Sequence, residues 1–202
     1  MKVGIMGGTF NPIHKGHLML ATLAMEQCSL DEIWFMPSGL PAHKSNEELL
    51  DALHRIEMVK LAIEGKRSFV ASAFEIEREG FTYTADTMVE LKKRYPKLDF
   101  YFIIGGDSLM KFHQWVRPDI ISAHTTLLAS GRSGYSKEQL EQQVKYLKQK
   151  FGTRVVFLDM PELQIASSEI RRWLKEGLYE KLREALPEKV VDYIEQNNLY
   201  QK

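Results

Sequence analysis

The amino end of the chain constrains it most. Val3-Gly4-Ile5-Met6 is a short apolar run that reads as a buried strand. Gly7-Gly8 follows, then the turn signal Asn11-Pro12, then His14 and His17 where a helical pattern opens. The two glycines are expected to break the strand and let the backbone approach a ligand closely. A strand, a glycine turn and a helix start aim unpaired N–H groups and the positive end of a helix dipole at one spot, which suits an anion. Two imidazoles there add proton-dependent charge. The stretch points to nucleotide chemistry.

Any phosphate recognition must be local. The 202 residues carry 27 Lys+Arg against 27 Asp+Glu, a formal net charge of zero. No overall basic field argues for nucleic acid or a membrane surface as partner. At 44% hydrophobic and 27% charged, the composition is that of a soluble globular protein. The length suits one domain, residues 1–202, with a small C-terminal helical part from about residue 165. A single cysteine, Cys28, excludes an intrachain disulfide and fits a reducing, cytoplasmic setting. The first apolar run is too short for a signal peptide, and no run approaches the roughly 20 apolar residues that span a bilayer. A homo-oligomer is compatible with the sequence, which specifies no oligomeric state.

Apolar spacing predicts a helix over 16–28, a strand over 33–36, and a polar loop over 38–48. Leu49, Leu53, Ile56, Val59 and Ile63 predict an amphipathic helix over 49–63 with those residues inward. A strand is expected over 68–73, and the charged stretch 75–80 is expected to be exposed. Thr84 is the expected N-cap of a helix carrying Met88, Leu91 and Tyr95 inward and ending at Pro96. Phe100-Tyr101-Phe102-Ile103-Ile104 is the strongest strand, followed by Gly105-Gly106-Asp107. Further strands are expected over 125–129 and 155–158, and helices over 136–150, up to 175 from a Ser167 or Ser168 cap, and over 188–197. Alternating strands and helices predict an α/β fold, a Rossmann-like, mostly parallel sheet covered on both faces. Ligands bind such sheets at the C-terminal strand ends, where the glycine turns fall.

A dinucleotide-binding redox site fits poorly. The spacing is Gly4-x-x-Gly7-Gly8 rather than G-x-G-x-x-G, and the second strand ends in Met36-Pro37 without an acidic residue for a ribose. No G-x-x-x-x-G-K-[ST] run is present, which excludes a P-loop. Gly7-Gly8-Thr9-Phe10-Asn11-Pro12-Ile13-His14-Lys15-Gly16-His17 instead resembles G-x-[ST]-F-[DN]-P-x-H-x-G-H, the signature of the HIGH-type nucleotidyltransferase superfamily. Ile165-Ala166-Ser167-Ser168-Glu169-Ile170-Arg171 resembles its I-S-S-T-x-I-R, with alanine for the first serine and Ser168 for threonine. Three further stretches resemble the bacterial nicotinate-nucleotide adenylyltransferases within it. These are Pro37-Ser38-Gly39-Leu40-Pro41-Ala42-His43-Lys44, Tyr83-Thr84-Ala85-Asp86-Thr87 and Ile104-Gly105-Gly106-Asp107, with Trp115 downstream. The usual A-R-P-G turn is here Ser130-Gly131-Arg132-Ser133-Gly134, with the arginine kept and its neighbours different.

That resemblance implies an enzyme moving the adenylyl group of ATP to nicotinate mononucleotide, for NAD biosynthesis. Mg²⁺ would be carried with ATP rather than in a protein cage. His14 and His17 would meet the ATP phosphates, with Gly7, Gly8 and backbone N–H groups of Thr9 and Phe10 around them. Arg171, helped by Ser168 and flanked by Ile165, would hold the β and γ phosphates. Gly105 would admit the adenosine and Asp107 a ribose hydroxyl. Lys44 would meet the mononucleotide phosphate, Trp115 would stack on the pyridine ring, Tyr83 and Thr84 would take its carboxylate, and Arg132 would line the acceptor side. The rival readings are an enzyme acting on nicotinamide mononucleotide or on pantetheine phosphate, and a nucleotide-binding regulator without catalysis.

Overall fold

The structure, a computed structural model, describes residues 1–41, 49–130, 134–161 and 165–200. Lys44 and Arg132 lie outside the described residues. In chain order the elements are β1 (Lys2–Gly8), α1 (Lys15–Cys28), β2 (Glu32–Pro37), β3 (Leu40–Pro41), α2 (Ala52–Ile63), β4 (Phe69–Ala71), β5 (Phe81–Thr82), α3 (Thr84–Arg94), β6 (Asp99–Ile104), α4 (Gly106–Lys111), α5 (Pro118–His124), β7 (Thr125–Ser130), α6 (Lys137–Phe151), β8 (Arg154–Leu158), α7 (Ser167–Glu176), α8 (Tyr179–Ala185) and α9 (Glu188–Gln196).

Six strands form one sheet in the order β4-β2-β1-β6-β7-β8, every pairing parallel. The order runs outward in both directions from β1 and β6, so the sheet switches direction between them. In open α/β sheets ligands bind at such a switch point, outside the C-terminal strand ends. β3 and β5 make a separate two-stranded parallel pair beside it, which apolar periodicity did not signal because each strand is two residues long.

The strands alternate their apolar side chains between two cores. Val3 and Ile5 of β1, Phe102 and Ile104 of β6 and Leu127 of β7 pack with α3, α4, α5 and α6 through Met88, Leu91, Leu109, Ile121 and Leu147. Met6, Ile33, Phe35, Ile103 and Leu128 pack on the opposite face with α1, α2, α7, α8 and α9 through Ala24, Met58, Val59, Ile170, Leu182 and Val190. The two central strands are thus apolar on both faces, which is why the sequence shows them as continuous runs.

Six expectations need correction. Gly7 and Gly8 do not break β1; they end it, in register with Met36 and Pro37 of β2. α2 begins at Ala52, capped by Asp51 accepting from the Leu53 N–H at 2.8 Å, and its inward face is rotated from the predicted one. Leu53 is 71% exposed, whereas Arg55 is 1% exposed. Tyr83, not Thr84, occupies the N-cap position of α3, and Ala166, not either serine, that of α7. The 75–80 stretch is not uniformly exposed: Glu75 is buried, because its carboxylate accepts from the Thr87 hydroxyl at 2.7 Å. Burial pushes the Glu75 carboxyl above its ordinary value.

Candidate active site

The turn between β1 and α1 lies at the switch point. Phe10 adopts a left-handed backbone conformation, φ 47°, and the Asn11–Pro12 bond is cis. Phe10 itself is buried, with its ring edge-on to His17 at 5.0 Å and near Phe35 at 6.1 Å. Gly8 faces this ring: an added Cβ would lie 3.5 Å from it. At Gly7 an added Cβ would lie 3.0 Å from Cζ of Phe102. The close approach both glycines permit is therefore first to aromatic rings that shape the turn.

His14 is the N-cap residue of α1 and His17 its third residue, so the two rings share the open helix end. They stack at 3.7 Å between centroids, 28° from parallel. The His14 N–H donates to Nδ1 of His17 at 3.2 Å. An accepting Nδ1 carries a lone pair, so the His17 ring proton is assigned to Nε2. His14 is 7% exposed, and among the described residues its buried Nδ1 meets no hydrogen-bond partner. Burial lowers its pKa to about 4, so the ring is neutral near pH 7.

The C-terminal helices reach this same turn. Nη1 of Arg171 donates to the Asn11 carbonyl at 3.0 Å, and Oγ of Ser167 to the Pro12 carbonyl at 3.0 Å. Ser168, expected to assist Arg171, is exposed in the first turn of α7. Ile165 flanks α1, where a Cβ on Gly16 would come within 3.9 Å of it. Tyr200 donates its hydroxyl to Oδ1 of Asn11 at 2.9 Å, and the Leu50 N–H meets the same oxygen at 3.3 Å.

Beyond the C-terminal end of β6, Gly105 is the N-cap residue of α4 and Asp107 sits exposed in its first turn. An added Cβ on Gly105 would meet nothing within 4 Å. The Gly106 N–H is already taken by Oγ of Ser130 at 3.2 Å. Trp115 is half-buried, its ring edge-on to Phe102 at 6.1 Å and tilted against Phe112 at 5.4 Å. Because Phe102 occupies the space that Gly7 leaves, Trp115 is seated indirectly by a glycine at the end of β1. Tyr83 and Thr84 are half-buried at the start of α3, with Asp86 exposed beyond them.

Several residues that organise the site were not evident in the sequence. Arg55 donates to the Leu50, Thr9 and Gly39 carbonyls at 3.0, 2.9 and 3.0 Å. Tyr200 likewise acts through a contact between distant segments, for which local pattern carries no signal, and the motifs holding Ser167 and Ser130 did not show the carbonyl and N–H that these hydroxyls meet. Among the described residues no group of three or more His, Cys, Asp or Glu side chains is placed to hold a metal ion, and no helix is long and apolar enough to cross a membrane.

Comparison with known proteins bears on this arrangement. Residues 5–173 match the model of the cytidylyltransferase-like family. The chain is 45% identical over 199 residues to a protein of Lachnoclostridium phytofermentans named as a probable nicotinate-nucleotide adenylyltransferase, covering 98% of both chains. It is 40% identical over 200 residues to the nicotinate-nucleotide adenylyltransferase of Bacillus subtilis, covering 99% of this chain and 98% of that one. A solved structure of Plasmodium falciparum nicotinic acid mononucleotide adenylyltransferase complexed with NaAD has the same fold, with a TM-score of 0.82 at 23% identity over 98% of this chain and 97% of that one.

Proposed function

The chain belongs to the cytidylyltransferase-like family, among the nicotinate-nucleotide adenylyltransferases, and from that membership we propose how its own residues carry adenylyl transfer from ATP to nicotinate mononucleotide. A phosphate oxygen of the mononucleotide attacks the α-phosphorus of ATP. The bond to the bridging oxygen on the β side breaks, pyrophosphate leaves, and nicotinate adenine dinucleotide forms. No protein nucleophile takes part. The protein positions two anions and disperses charge in the transition state.

The stacked His14–His17 pair at the open end of α1 carries this reading. With His17 protonated on Nε2, that ring donates to the α-phosphate and the departing pyrophosphate. His14, neutral and buried, stacks on His17 and keeps its neighbour in orientation. Backbone N–H groups of Thr9 and Phe10 face the α-phosphate. Arg171, already on the Asn11 carbonyl, holds the β and γ phosphates together with first-turn N–H groups of α7 near Ser168. Mg²⁺ enters as part of the ATP substrate. The open space at Gly105 takes the adenosine, and Asp107 accepts from its ribose.

Trp115, braced by Phe102 and Phe112, stacks on the pyridine ring. Its carboxylate lies at the start of α3, where N–H donors near Tyr83 and Thr84 favour an acid over an amide. Lys44 and Arg132 serve the mononucleotide phosphate side. The chain acts as one nucleotidyltransferase unit in the cytoplasm, with its C-terminal helical part from about residue 165 closing the nucleotide side. Pyrophosphate release with ATP and either nicotinate or nicotinamide mononucleotide tests the reading: turnover should be faster with the acid. Equal or greater turnover with the amide would refute the assignment of the acceptor.

A further inference from the structure

We infer that Arg55 is a positioning residue that holds the nucleotide half and the acceptor half of the site in register; this rests on the reaction proposed above. Arg55 is 1% exposed, on the face of α2 that packs toward the sheet beside Met58 and Val59. Its hydrogen-bond partners among the described residues are three neutral main-chain carbonyls. Burying a guanidinium against neutral acceptors is unfavourable compared with an aliphatic side chain of similar size. Packing alone therefore does not account for an arginine at this position. A guanidinium can bind several carbonyls from different segments in one rigid plane, which neither an aliphatic chain nor an ammonium can do.

Two of those segments are the two halves of the site. Thr9 belongs to the turn between β1 and α1. The Thr9–Phe10 peptide is trans and planar, so with the Thr9 oxygen drawn to Nη1 of Arg55 the Phe10 N–H points the opposite way. That N–H is one of the donors assigned to the α-phosphate. Gly39 lies in the stretch after β2 that leads toward Lys44. A Cβ added to Gly39 would stand 2.4 Å from the Glu75 carbonyl oxygen. The Glu75 carboxylate takes the Thr87 hydroxyl at 2.7 Å, and that hydroxyl lies 3.2 Å from the Tyr83 carbonyl at the start of α3. Contacts thus run without a gap from Thr9 through Arg55, Gly39, Glu75 and Thr87 to the place assigned to the ring carboxylate. A bond from the Ser38 N–H to the Gly8 carbonyl, 2.9 Å, joins the same two stretches a second time. Arg55 sets both the direction of a donor to ATP and the distance between the two substrates.

The test compares Arg55→Lys, which keeps the charge, and Arg55→Met, which keeps most of the volume, with wild type in pyrophosphate release and in thermal stabilisation by ATP. The expected result for folded variants is a kcat reduced by about 10- to 100-fold, as for small displacements of reacting groups. KM should rise for both substrates, and the shift in melting temperature produced by ATP should shrink. An arginine with a folding role alone would lower the melting temperature and leave kcat, both KM values and the ATP-induced shift unchanged. That outcome overturns the inference, as does a failure of both variants to fold. A wild-type protein inactive on nicotinate mononucleotide would sink the proposed reaction instead. The loss of ATP-induced stabilisation in the variants would still report that Arg55 orients the nucleotide half.

Discussion

The hydroxyl of Tyr200 donates to Oδ1 of Asn11 at 2.9 Å, joining positions 189 residues apart. Asn11 sits in the turn between β1 and α1, and its carbonyl takes Arg171. Burial raises the Tyr200 phenol far above its ordinary value, so the donor proton is present across the physiological range. The C-terminal segment therefore pins the loop that carries the site's histidines. Tyr200→Phe should lower stability by about 1 kcal/mol, the usual net worth of such a bond. It should also raise KM for ATP more than KM for the mononucleotide, because only the nucleotide turn is loosened. Denaturant unfolding with steady-state kinetics checks this; an unchanged KM for ATP would remove the link to function.

His17→Ala should leave the fold intact, because the ring is half-buried at a helix end, and lower kcat by about 10²–10³-fold as for loss of one transition-state donor. The tautomer assignment makes a finer prediction. A Gln side chain reaches the position of Nε2 with an N–H, whereas Asn reaches only that of Nδ1. His17→Gln should retain more turnover than His17→Asn, and the reverse order would contradict the assignment.

His14 makes stability depend on pH. Its folded pKa of about 4 lies below the ordinary 6.5, so the unfolded chain takes up the proton first as pH falls. Stability is complete above pH 6.5 and is lost as pH drops through about 4, by about 3 kcal/mol in total for a shift of this size. Unfolding curves of wild type and His14→Gln across that window should diverge, with the variant flatter. Parallel curves would show that His14 is not the titrating group.

Gly39 and Gly105 should behave oppositely. A Cβ on Gly39 meets the Glu75 backbone oxygen at 2.4 Å, so Gly39→Ala should destabilise by about 1–3 kcal/mol, as overpacking does. A Cβ on Gly105 meets nothing, and the backbone φ of −73° suits alanine. Gly105→Ala should cost under about 1 kcal/mol, the loss of a permissive cap residue, while weakening ATP binding. Calorimetric titration of ATP into both variants separates a packing defect from a blocked site.

Trp115→Ala should raise KM for nicotinate mononucleotide more than for ATP, because the ring is braced from below by Phe102 and Phe112 and is assigned to the pyridine. Trp115→Phe should recover part of the loss. Equal effects on both substrates would count against stacking.

The parallel sheet and its two covered faces were legible in the chain, because a strand buried on both sides must be apolar along its whole length and a crossover helix must show a stripe. The turn between β1 and α1 was legible for a related reason: the glycines, His14 and His17 lie within one local stretch, where spacing translates directly into geometry. Only tertiary structure decided the rest. The spacing of Leu53 with Ile56 pointed to an inward leucine, yet Leu53 faces outward and Arg55 inward, because Arg55 meets carbonyls from two distant segments. The burial of Glu75 has the same origin in Thr87. A buried polar side chain is stabilised by partners that the fold brings from elsewhere, and the apolar periodicity around it records none of them.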